Sequence, residues 1–502
     1  MDTNANTDTD TAAPGRPGAD SVARGRALLV ARLMIGLYIV ELLLNVARPK
    51  VLPDEPTVSI FYKLPKSMAQ HLQQGPFASF DRLLSVPRTV FWAVMAGIVV
   101  GALLQVAAAV MRPQGRRAAV LTWATLAALL GPFSLLALSI VAAYPLTALA
   151  CAPGAAFVLW LLHHGQRFAR APLSALLAAF GWGAFMVFGL GRAYTGLAYA
   201  TIYGYSVKNA HSLLDATSPK SLYRVIDLLV LHLSVVNAML VAAGVVVVLL
   251  LFRHQVVDTV TGLVLGAAVG LGYAFVESIL FIQLYGALSS ITGASGGFEY
   301  WIRQSIGLLG GPVAYGALLG AGLGLAIRRK QRRERGLIAG AALIAVIGGA
   351  VSTETLAAWF SRLVGDHMEV GAAFDTLVVS PFLWLLPQAP FIVLAVLLLL
   401  AGRRARASAA RAALSAEAAA GVAVMPGEET VLADPRLRFW ALVSTWRRYG
   451  PSAALALHRL HTAQLELAGL RLHEQADPER ADPLRTKVLR LKTKVRDAAV
   501  MS

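Results

Sequence analysis

Glu277 is the residue in this chain best placed to do chemistry. It stands in an apolar, glycine-patterned run, Gly262-Leu-Val-Leu-Gly266-Ala-Ala-Val-Gly270-Leu-Gly272-Tyr273-Ala-Phe-Val-Glu277. Seven residues beyond Gly270 is nearly two helical turns, so the carboxylate shares the glycine face, and Tyr273 lies one turn earlier on the same side. A carboxylate inside a bilayer costs several kcal/mol unless it is paired or used. Two readings stay open. Glu277, with Tyr273, is a catalytic or ligand-binding group, or it is a protonated packing residue bonded to Tyr315, His232 or Asn237. Glu41 and Glu354 are further intramembrane carboxylates in less patterned surroundings, and Glu354 could approach Glu277 in depth.

Metal catalysis would need about three protein ligands around one open position. Of 10 histidines only His232 lies well inside a predicted span, and the single Cys excludes thiolate ligation. The expectation from this count is no metal and no other cofactor. Zinc or another divalent ion enters only if Glu277, His232 and Glu354 converge.

The elements that must position these groups follow from composition. The chain has 502 residues, 57% hydrophobic and only 15% charged, with a mean hydropathy of +0.62. Stretches such as Ala118–Ala143 and Leu337–Ser352 carry no charge at all. A helix needs about 20 mostly apolar residues to cross hydrocarbon, whereas a soluble helix keeps a polar face. The fold class is therefore all-α and polytopic. Spans are predicted near 27–47, 90–111, 119–141, 144–162, 173–199, 226–251, 260–285, 306–327, 337–359 and 378–401. Gly262, Gly266 and Gly270 in the seventh span and Gly316, Gly320 and Gly324 in the eighth make flat grooves suited to close helix packing.

Lys and Arg cluster in alternate loops: Arg112–Arg117, Arg167–Arg170, Arg253–His254, Arg328–Arg335 and Arg403–Arg406. The positive-inside rule then puts both termini in the cytoplasm, with Arg48–Arg88 and Leu288–Arg303 outside. Residues 402–502 hold 17 basic and 10 acidic residues, hence +7, and Arg328–Arg335 adds six basic against one acid. The net charge of +17 is thus explained by topology and anionic lipid headgroups, with no nucleic acid. The predicted organisation is a disordered segment 1–25, spans over 26–222, a membrane core over 223–401 and a basic helical tail over 402–502. In the tail a flexible Ala/Ser/Gly stretch leads to helical patterns at Leu437–Tyr449, Ser452–Gln475 and Leu484–Val495. The stripe Leu484, Val488, Leu491, Val495 suits either a membrane or partner surface or a small bundle.

The segment from Asp258 to Ser278 resembles the central part of the PrsW-type intramembrane proteases, bacterial polytopic proteins related to the CAAX-processing proteases. Tyr273-Ala-Phe-Val-Glu277 is similar to the family's F-x-x-x-E motif, and Pro312–Ala326 to its following helix. The resemblance spans roughly residues 225–360. It implies a multi-pass protein of a bacterial cell membrane, metal-assisted peptide hydrolysis, and membrane proteins or peptides as substrates. The chain departs from the family at two places. The expected E-E-x-x-K falls on Val235–Leu240, with no Asp, Glu or Lys from Leu228 to Val257, and the expected H-x-x-x-D/T falls on Pro312–Gly316. Three functions remain open: a non-catalytic relative that binds membrane peptides, an endopeptidase with a rearranged site, or a transporter or signalling protein using Glu277.

Overall fold

The computed structural model describes residues 19–50, 55–59, 86–166, 171–206, 219–256, 258–287, 296–327, 329, 331–367, 374–421, 423–471 and 478–500. They form helices α1 (Ala19–Ala47), α2 (Arg88–Met111), α3 (Gly115–Leu130), α4 (Ser134–Ala143), α5 (Pro145–Gly165), α6 (Leu173–Gly181) and α7 (Phe188–Ser206). There follow α8 (Pro219–Leu251), α9 (Thr259–Ala287), α10 (Gly296–Gln304), α11 (Pro312–Ile327), α12 (Arg332–His367) and α13 (Ser380–Ala420). The chain closes with α14 (Glu428–Ala433), α15 (Pro435–Arg471) and α16 (Pro478–Val500). No strand occurs among the described residues.

Among the described residues, 10 helical runs are long and apolar enough to cross a membrane. They correspond one for one to the predicted spans. Four of them are composite: α3 and α4 join through a 3-10 turn at Gly131–Phe133, α6 and α7 through a π-helical turn at Trp182–Val187, and 3-10 and π-helical turns at Ile306–Leu309 and Asp375–Val379 precede α11 and α13. Predicted segment 1–25 lies mostly outside the described residues, as does much of the Arg48–Arg88 loop.

The span carrying Glu277 is the most deeply buried of the ten, because glycine lets its neighbours close on it. A Cβ added at Gly266 would lie 2.9 Å from the Gly316 carbonyl carbon and 3.1 Å from Gly320 Cα. One added at Gly262 would lie 3.0 Å from the Gly320 carbonyl carbon and 3.2 Å from Gly324 Cα. The two stripes therefore face each other, backbone against backbone, along α9 and α11. On its other side α9 meets α6 and the π-turn, where Gly272 abuts Phe180 and Ala184 and Gly183 abuts Val269. The core around α9 draws on residues such as Leu176, Val245, Leu265, Val269, Ile279 and Leu319. A second cluster, with Tyr38, Phe91, Leu130, Phe133 and Leu197, joins α1, α2, α3 and α7.

Asp258 caps α9. Its Oδ1 accepts the Thr261 N–H at 2.9 Å and the Thr261 hydroxyl at 3.0 Å, satisfying donors that a helix start leaves open. Buried Arg406 of α13 grips the same carboxylate through Nε and Nη2. Burial by itself would raise the Asp258 pKa. The bonds and charge of Arg406, with the Thr261 bonds, outweigh it and leave the group below the usual carboxylate value.

The predicted flexible stretch after residue 402 is helical instead. α13 runs unbroken from Ser380 to Ala420 and ends at Gly421 with φ 67°. Its alanine-rich composition has the highest helix propensity of all, which accounts for the difference. α15 breaks at Gly450, with φ 77° and ψ 178°. Its second half packs on α16, where Val488 is enclosed by Leu460, Ala463 and Leu467, with Leu484, Leu491 and Val495 alongside. The apolar stripe of α16 is thus spent inside a helical bundle. Arg485–Glu417 and Lys492–Glu428 pairs, each 3.0 Å, tie α16 to α13 and α14.

Candidate functional site

Glu277 opens into a cavity of about 340 Å³. Its walls come from α9, α10, α11, α12 and α13, with Cys151 and Ala155 of α5 at one edge. The short helix α10 brings in the principal partner. Arg303 Nη1 lies 3.6 Å from Glu277 Oε2 and Arg303 Nε donates to Glu299 Oε2 at 3.0 Å. The guanidinium carbon sits 4.4 Å over the Phe281 ring, a favourable cation–π placement. Glu354 of α12 lines the same cavity. A left-handed turn at Gly311 (φ 51°) starts α11, and its N–H donates to Gln388 Oε1 at 2.6 Å.

The other residues singled out from the sequence lie elsewhere. Tyr273 is buried, edge-on to Phe188 at 5.5 Å, and does not line the cavity among the described residues. A Cβ on Gly191 would stand 3.4 Å from Asn237 Oδ1 and 3.5 Å from the Tyr273 hydroxyl, so both side chains approach Gly191 of α7, and Asn237 does not line the cavity among the described residues. The Tyr315 hydroxyl donates to Thr353 at 2.6 Å. His232 Nε2 is 2.9 Å from the Tyr194 hydroxyl and 3.6 Å from Glu41 Oε2, while Tyr194 donates to Glu41 at 3.0 Å. His232 thus serves Glu41 of the first span, in a separate polar cluster. Spacing along one helix could not reveal this, because the phenol joining the two comes from α7.

Sequence reasoning placed Arg303 only in an outside loop and missed it as the partner of Glu277. The available signal was Glu299 and Arg303 at i,i+4, a pairing expected on a helix, next to the span of the lone carboxylate. Ser278 was missed as well. It is 6% exposed, lines the cavity beside Glu277, and its hydroxyl makes no hydrogen bond among the described residues.

This arrangement defines a class: a polytopic helical membrane protein with an acidic, aromatic-walled cavity closed by a guanidinium. Residues 171–351 match the family model of the PrsW family intramembrane metalloproteases, and this part of the chain is PrsW-like. The match begins one span earlier than the resemblance read from sequence, taking in α6 and α7, whose π-turn packs directly on α9. No curated protein and no solved structure matches the chain.

The family description implies a metal, and the residues around Glu277 do not fit one. Among the described residues no three His, Cys, Asp or Glu side chains are grouped so as to hold an ion. The side chain drawn up to Glu277 is Arg303, a permanent cation without a lone pair to give. It occupies the carboxylate's vicinity with the same sign of charge a metal would bring.

Proposed function

We propose that this protein is a non-catalytic PrsW-like membrane protein that binds membrane-embedded peptide segments at the Glu277 cavity. The observation that carries this reading is the Arg303–Glu277 pair: a carboxylate held by a guanidinium inside a cation–π contact is a binding group rather than a metal ligand. The cavity, 340 Å³ in volume, is of ligand-binding size. The PrsW resemblance supports a bacterial cell membrane, and the Lys and Arg distribution supports both termini inside, with anionic lipid headgroups as partners of the basic loops.

The test is made on purified protein: bound metal by elemental analysis, and cleavage of a model membrane substrate with Glu277→Gln as control. The expected result is substoichiometric metal and no Glu277-dependent cleavage. Stoichiometric metal with cleavage abolished in Glu277→Gln would overturn the reading and make the protein an endopeptidase with a rearranged site.

A further inference from the structure

The cavity holds more carboxyl groups than its own cation pairs with. Among the described residues Glu277, Glu299 and Glu354 line it, against Arg303 alone. Arg303 engages the first two. Glu354 has no hydrogen bond or ion pair among the described residues, although it belongs to a span. Ser278, 6% exposed, lines the same cavity, and its hydroxyl has no hydrogen bond among the described residues. An open intramembrane carboxylate is an acceptor, a serine hydroxyl can accept as well as donate, and the carboxylate calls for a donor. The walls include Phe281, Phe298, Tyr285 and Trp384, whose ring faces favour a cation.

A second feature adjoins. An apolar groove of about 460 Å³ runs between α12 and α13, lined by Leu356, Phe360, Leu386, Pro387, Pro390 and Phe391. The groove and the cavity draw on neighbouring residues of the same two helices: Thr353 lines the groove and Glu354 the cavity on α12, and Pro387 and Gln388 do likewise on α13. An occupant spanning both needs an apolar body and a hydrogen-bonding cationic end.

Resting on the peptide-binding reading above, we propose that the cavity recognises a Lys or Arg side chain of a membrane-embedded peptide, with the peptide's apolar stretch lying in the α12–α13 groove. Glu354 and Ser278 receive the ammonium or guanidinium. Arg303 is the internal precedent: a basic side chain of a polypeptide, laid on an aromatic ring between carboxylates, in the same cavity. That precedent favours a peptide over the ethanolamine headgroup of a lipid.

The experiment uses the full chain in nanodiscs and two synthetic single-span peptides differing only in one lysine or norleucine at the end that would reach Glu354. The lysine peptide is expected to bind roughly tenfold more tightly, the effect of one charge-assisted hydrogen bond. Glu354→Gln should erase that preference, with an unchanged circular-dichroism spectrum in nanodiscs as the check that the variant is folded; a preference kept by the folded variant would overturn the inference. Equal binding of the two peptides would overturn the inference and leave the peptide-binding reading standing. If neither peptide binds, the peptide-binding reading itself fails, and the inference with it. Replacing phosphatidylglycerol by phosphatidylethanolamine should leave the lysine preference intact; its loss would assign the cavity to the aminolipid and overturn the peptide version.

Discussion

Gly266→Ala is expected to destabilise the membrane core more than any exposed helical glycine substitution. The added Cβ would meet the Gly316 carbonyl carbon at 2.9 Å and Gly320 Cα at 3.1 Å, against about 3.5–4.0 Å for comfortable carbon contact. Both obstacles are backbone, so no rotamer change relieves them. α9 and α11 must separate by about 0.5–1 Å, a gap that forfeits a quarter to a half of the dispersion attraction of every atom pair across the interface. Together with overpacking costs of about 1–3 kcal/mol, the loss should reach about 3 kcal/mol. It is set against the gain of up to about 1 kcal/mol that Ala brings over Gly within a helix. Gly340 provides the matched control, since nothing lies within 4 Å of a Cβ added there, so Gly340→Ala should be neutral or mildly stabilising. The measurement is reversible unfolding in mixed micelles, comparing both variants with the unaltered protein. Equal stability of the Gly266 and Gly340 variants would refute the argument that the glycine stripes set the helix spacing.

Two further outcomes are expected. Reporter fusions after Arg335 and after Arg403 should both read cytoplasmic; an external reading of either would sink the proposed topology. In the tail, burial, aided by the positive charge of Arg438, pushes His461 down to about 4. The ring is therefore neutral when folded and protonates near 6.5 when unfolded. Above about pH 6.5 both states are neutral and stability is flat. As pH falls from there toward 4, the unfolded chain takes up a proton that the folded one refuses, and stability declines by on the order of 2 kcal/mol. Hydrogen exchange of residues 453–468 in the full-length protein, corrected for intrinsic rates, should lose protection over that window. His461→Gln should remove the pH dependence, and an unchanged slope in that variant would contradict the assignment.

The sequence by itself determined the solvent of this protein. Charge-free runs the length of a bilayer leave no way to fold in water, and each becomes a helix because hydrocarbon offers no partner to an unpaired backbone group. It also displayed the glycine stripes of α9 and α11 and the lone carboxylate beyond one of them, since a period of 3.6 maps spacing onto a helix face without knowledge of the neighbours. What it could not supply was the identity of the neighbours. Glu277 pairs with Arg303, 26 positions on, because α10 folds back over the C-terminal end of α9. His232 serves Glu41 because Tyr194 of α7 lies between them. The stripe Leu484–Val495 would suit a membrane surface equally well until α15 covers it. Helix faces are local properties of the chain, but which face meets which is decided by long-range packing. A polar side chain in a membrane takes its chemistry from whatever that packing sets against it.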